Sequence, residues 1–150
     1  MGSKSIGAMG SKITFLSGIK QNAIKTNLDA FMEGVLKSLE TLHPEKKAHL
    51  KVRLVLEEII LNIINHAYGK KKGMIHVQCF KKPNHIFCIK ITDRGIPFDI
   101  TLYDVEDVKE DLMSRPIGGL GIPLILNTVN KIHYKREDHK NVLTVEMLVG

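Results

Sequence analysis

The sequence predicts an α+β fold: a two-layer α/β sandwich with helices on one face of a mixed, mostly antiparallel sheet. Three observations support this. Apolar residues recur at helical spacing over 27–42 and again from Pro44 to about residue 68. Apolar and polar residues alternate over 74–80 and 85–92, and a second alternating pair occupies 131–137 and 142–148. Between the hairpins lies one more apolar stretch, 120–129, short enough for a small helix.

Taken in order, residues 12–17 read as a short strand. The helix over 27–42 places Leu28, Phe31, Met32, Val35, Leu36 and Leu39 on one face. His43-Pro44 breaks it, and Pro44 can open the next helix at its first turn. That helix ends near Tyr68, where Gly69 offers a left-handed cap and Lys70, Lys71 and Lys72 complement the negative end of the helix dipole. Pro83-Asn84 turns the first hairpin. Residues 95–118 carry Gly and Pro at both ends and an acidic middle, the punctuation of a lid, with a helical turn expected over 105–112.

At 150 residues the chain makes one domain, 12–150, with enough length to bury a core unaided. Residues 1–11 are rich in Gly and Ser and lack a period, as in a frayed end or an expression remnant. No apolar run nears the ~18 residues that span a bilayer. Nor does a signal peptide open the chain, so a cytoplasmic location and no membrane partner are expected. The net charge of +6 raises nucleic-acid binding, but the lysines are scattered, Trp is absent and no helix-turn-helix or zinc-finger spacing occurs. A solvated basic surface is the expectation, with an acidic protein partner next and no direct nucleic acid. Strand alternation puts Cys79 with the apolar row and turns Cys88 to the opposite face, so two free thiols are expected.

Three polar elements interrupt the apolar pattern. The first is a stripe in an Ile-rich helix: at about 100° per residue, Glu58, Asn62, Asn65 and His66 share one face. Burying such groups unpaired costs several kcal/mol, roughly 2–7 for an amide, so a helix that keeps them usually lines a polar site. The second is Asp93-Arg94-Gly95, a carboxylate closing an apolar strand, able to accept from a base amino group while Gly95 admits close backbone approach. The third is Gly118-Gly119-Leu120-Gly121 before a helix, where free N–H groups suit phosphates. Each alone is weak, because Asp-x-Gly is commonly a turn and helical Asn commonly a satisfied core amide.

Their order is the stronger signal, and it resembles the GHKL (Bergerat) ATP-binding superfamily, above all its stand-alone anti-sigma-factor serine/threonine kinases. Glu58, Asn62, His66, Ala67 and Tyr68 fit its Glu-x-x-x-Asn-x-x-x-His-Ala-Tyr pattern. Asp93, Gly95, Phe98 and Asp99 fit Asp-x-Gly-x-x-Phe-Asp, and Gly118, Gly119 and Gly121 fit Gly-Gly-x-Gly. The resemblance implies ATP and Mg2+ as cofactors, with Asn62 the magnesium ligand. It further implies Asp93 on the adenine amino group, Gly95 beside it, Gly119 and Gly121 under the phosphates, and His66 near phosphate or sugar. Thr144 would help hold the base, Arg115 is a candidate contact for the terminal phosphate, and Glu58 would be the general base. Against that role stands a plain ion pair of Glu58 with Arg53 or Arg94; Glu57 and Asn65 need only satisfy backbone or solvent.

The same resemblance implies partners: an anti-sigma-factor antagonist as substrate, a sigma factor held in alternation, and a homodimer. A sensor histidine kinase would need a helical segment bearing a phospho-accepting His, and the helix ahead of Pro44 has none. A nucleotide-gated binding module with little turnover is the rival reading, and a nucleic-acid binder a third.

Overall fold

The computed structural model describes residues 12–103 and 121–150. Five strands form one sheet in the order β1-β2-β3-β5-β4: β1 Thr14–Asn22, β2 Met74–Lys82, β3 Ile86–Asp93, β4 Lys131–Glu137 and β5 Lys140–Leu148. The sandwich is as the sequence predicts, and among the described residues all four strand pairings are antiparallel. The second hairpin docks by β5, whose Val142, Leu143, Val145 and Met147 are buried, and leaves the charged β4 at the edge. Lys131, Lys135, Arg136 and Glu137 on that edge discourage further strand pairing. β1 runs five residues beyond the expected end at 17, paired to β2 except where the register shifts at Leu16.

Three described helices, α1 Leu28–Glu40, α2 Lys46–Asn62 and α3 Gly121–Thr128, accompany the sheet. Phe31, Val35 and Leu39 of α1 and Val52, Val55, Leu56, Ile59 and Ile60 of α2 share one core with Ile75, Val77, Cys79, Phe87, Ile89, Ile91 and Val145 of the strands. Each such side chain contributes about 1.5–3 kcal/mol on burial. Among the described residues, no helix is long and apolar enough to cross a membrane.

Both cysteines are free and buried. Cys79 sits opposite Ile89 on the helix-facing side and Cys88 opposite Phe80 on the other, as the alternation requires. Burial pushes both thiols up to about 11. The expected helical turn over 105–112 lies outside the described residues.

Past Asn62 the long helix widens into a π-helical turn, Ile63–Tyr68. The wider winding breaks the phase assumed for the polar stripe: Asn62 is buried, but Asn65 and His66 are exposed. The chain leaves this turn through Gly69 at φ 57°, a conformation L residues disfavour, and an added Cβ there would meet nothing within 4 Å. Conformation, not space, fixes that glycine.

Gly95 shows the converse. A Cβ there would lie 2.4 Å from the Ala67 carbonyl oxygen and 2.6 Å from its carbon. The contact is backbone against backbone, sealed by the Ile96 N–H donating to Ala67 O at 2.9 Å. We expect Gly95→Ala to destabilise the fold by about 3 kcal/mol, as severe overpacking does. Urea unfolding measures this, and a midpoint equal to that of the parent would refute the close approach.

Candidate functional site

The end of α2 and the end of β3 meet. Asn62, the last residue of α2, is 5% exposed, and its Nδ2 donates to the Glu58 carbonyl one turn back at 2.7 Å. Reversing the amide would face two oxygens at that distance, so the orientation is set and Oδ1 is the atom left to accept. Among the described residues Oδ1 has no partner. It is a hard oxygen on a buried, fixed stem.

Asp93 closes β3 and is 4% exposed. Its Oδ1 accepts from the Gly95 N–H at 2.8 Å and from Asn141 Nδ2 at 2.9 Å. Burial raises its pKa, opposed by those two bonds and by the Arg136 charge. Oδ2 receives no donor among the described residues. Asn62 and Asp93 line one void with Ile59, Ile63, Phe98, Ile100, Tyr134, Asn141 and Leu143. Its volume is about 20 Å³, room for roughly one water molecule, so a purine enters only if Phe98 and Ile100 move outward. Three roomier clefts lie elsewhere among the described residues, about 560, 410 and 270 Å³; Asp93 lines the second of them, but none reaches Glu58 or Asn62.

Glu58 is half-buried one turn before Asn62, against α3. A Cβ on Gly121 would stand 1.9 Å from its Oε1, so Gly121 is the space the carboxylate occupies. Desolvation, then the neighbouring Glu57 charge, raises the Glu58 pKa. Among the described residues no Lys or Arg pairs with it, which removes the plain ion-pair reading with Arg53 or Arg94. A carboxylate with a raised pKa and no structural partner suits proton acceptance.

The remaining predicted residues divide. His66 stacks on Phe98, ring centroids 5.3 Å apart at 25°, outside the void rather than within it. Gly95 serves the approach to Ala67. Thr144 is a correction: it pairs with Lys90 and His133 on the helix-free face of the sheet, away from Asp93. Strand parity places it there, in phase with Val142 and Glu146. Gly119 and Arg115 lie outside the described residues.

Asn141 is the residue sequence reasoning missed. It pairs with Asp93 across β3 and β5, and besides Asp93 it donates to Ile96 O at 2.8 Å. The signal was available: Asn141 is the one polar residue in phase with Leu143, Val145 and Met147 on the core side of β5. Tyr68, noted only as part of a motif, ties the same loop. Its hydroxyl donates to Met74 O at 2.6 Å and accepts from the Arg94 N–H at 2.8 Å. Arg136 adds a bond from Nη1 to Gly95 O at 2.7 Å.

An antiparallel five-stranded sheet, helices on one side, and a buried acid and amide at its seam make this a GHKL-type ATPase domain. Residues 22–147 match the family described as Histidine kinase-like ATPase domain, and the chain belongs to that family. The fold is similar to the histidine kinase domain of a blue-light-activated histidine kinase from Erythrobacter litoralis. That likeness has TM-score 0.52 and 9% identity, and covers 81% of this chain and 61% of that one. The chain therefore spans less than two thirds of that solved domain's length. The histidine kinase AdeS of Acinetobacter baumannii aligns with TM-score 0.45 and 17% identity over 90% of this chain and 68% of its own. No curated protein gives a significant sequence match.

Proposed function

We propose that the protein binds Mg-ATP and transfers its terminal phosphoryl group to a Ser or Thr hydroxyl of a partner protein. On this reading it is a cytoplasmic, homodimeric anti-sigma factor whose substrate is an anti-sigma-factor antagonist and whose alternate partner is a sigma factor. The observation that carries the reading is Glu58: a half-buried carboxylate without a cationic partner among the described residues, one helical turn from Asn62.

The residues present fit the nucleotide and its metal. Asn62 Oδ1 is an unpartnered buried oxygen, and Mg2+ characteristically takes one or two protein oxygens and completes its shell with phosphates and water. Asn62 would hold the ion, which when bound neutralises phosphate charge. Asp93 Oδ2 accepts from the adenine amino group. Glu58 takes the proton of the attacking hydroxyl as the new O–P bond forms and the bond to ADP breaks. Phe98 and Ile100 line the void as it stands closed, and both would move outward to admit the base.

Two observations favour a second reading. The closed void and the crowding of Glu58 against Gly121 equally suit a nucleotide-gated module that holds a regulator with little turnover. Incubation with γ-labelled ATP, Mg2+ and the candidate antagonist separates the two. Label on a Ser or Thr of the antagonist supports the kinase; ATP binding without transfer supports the module. Absence of binding to ATP and ADP in calorimetry would remove both.

A further inference from the structure

We infer that Asn141 makes the site select an adenine edge over a guanine edge, by filling Asp93 Oδ1 and leaving Oδ2 as the only free acceptor on that carboxylate. The inference rests on the nucleotide reading above and names its specificity. A carboxylate oxygen offers two lone-pair positions. Both positions of Oδ1 are taken, one by the Gly95 N–H at 2.8 Å and one by Asn141 Nδ2 at 2.9 Å. Guanine presents two parallel donors, its N1–H and its amino group, and needs both oxygens of a carboxylate to satisfy them. Adenine presents a single amino donor on that edge, which Oδ2 alone can receive. Guanine would leave a donor unpaired in a buried site, the situation that polar sites reject most strongly.

The device works only if Asn141 cannot turn away, and four bonds hold it. Its Nδ2 donates to Asp93 Oδ1 and to Ile96 O, while its Oδ1 accepts from the Tyr134 hydroxyl and from the Phe98 N–H at 3.3 Å. The amide is 3% exposed and joins β3, β4, β5 and the loop after Asp93. Rotating it would oppose its oxygen to the Asp93 carboxylate and its amino group to two donors. Asn141 is thus a positioning residue that acts through Asp93.

The test compares dissociation constants for Mg-ADP and Mg-GDP in the parent and in Asn141→Ala. The parent should prefer ADP, and the variant should narrow that preference by about tenfold or more, the worth of one hydrogen bond to a charged group. A purely structural role would weaken both nucleotides alike and leave their ratio unmoved. Should Asn141→Ala fail to fold, Tyr134→Phe, which removes one clamp on the amide, should narrow the ratio in the same direction by less. A ratio unchanged in a folded variant, or a parent that binds GDP as tightly as ADP, overturns the inference while leaving nucleotide binding intact. A parent that binds neither overturns the nucleotide reading as well.

Discussion

Replacing Glu58 by Gln is expected to slow phosphoryl transfer by roughly 10²–10⁴-fold, the usual contribution of a positioned general base. Affinity for ADP should stay within about twofold, because a side-chain amide keeps the shape that fills the space over Gly121. The bond that orients Asn62 also survives, since it runs to the backbone carbonyl of residue 58 and not to the side chain. Stability should hold or rise. Burial raises the Glu58 pKa in the fold, so its stabilising contribution is present below its unfolded pKa and is lost as pH rises through the folded value. Ionised Glu58 therefore costs stability at neutral pH, and a neutral Gln does not. In the parent, the acid limb of the rate profile should lie above the ordinary glutamate value of 4.5. Single-turnover rates with labelled ATP across pH measure the transfer, calorimetry the ADP affinity, and urea unfolding the stability. Transfer in the variant within about threefold of the parent would take the base away from Glu58.

Asp93→Asn should abolish nucleotide binding at the concentrations where the parent saturates, a loss of about 100-fold in affinity. The substitution is nearly isosteric and can keep both internal bonds, since an Asn oxygen still accepts from Gly95 N–H and Asn141 Nδ2. What it changes is the atom left free: an N–H2 donor replaces Oδ2 and would meet the adenine amino group donor to donor. The unliganded protein should be as stable as the parent or more so at pH 7. Desolvation raises the Asp93 pKa despite its two bonds and Arg136, so its charged form, like that of Glu58, is disfavoured by the fold above that pKa. In the parent, ADP affinity should fall as the pH drops through the raised Asp93 pKa, because the protonated carboxyl no longer offers the same acceptor. The variant should show no such fall. Calorimetry across pH, paired with thermal unfolding, reads both effects, and full ADP binding by a folded Asp93→Asn protein would displace Asp93 from the base site.

Much of the architecture was legible because periodicity is a local property. Leu28, Phe31, Val35 and Leu39 show helical spacing, and Ile75, Val77 and Cys79 alternate, whatever surrounds them. The opposite facing of Cys79 and Cys88 followed from the same alternation. Asn62 and Asp93 stood out because polar groups inside apolar runs must be satisfied or used. Thr144 was misplaced for want of the parity that Val142 and Glu146 supply, and that parity would have pointed to Asn141 instead.

The sequence by itself determined the element types, the two hairpins, the free thiols and the carboxylate and amide that interrupt the core pattern. The tertiary structure alone decided that every described strand pair is antiparallel, that β5 and not β4 lies against β3, and that α2 ends in a π-turn exposing His66. It alone brought Asn141 to Asp93, 48 residues apart, and set Glu58 against Gly121. Spacing within an element is fixed by backbone geometry over a few residues, whereas the partner of a buried carboxylate depends on which surfaces pack together to exclude water.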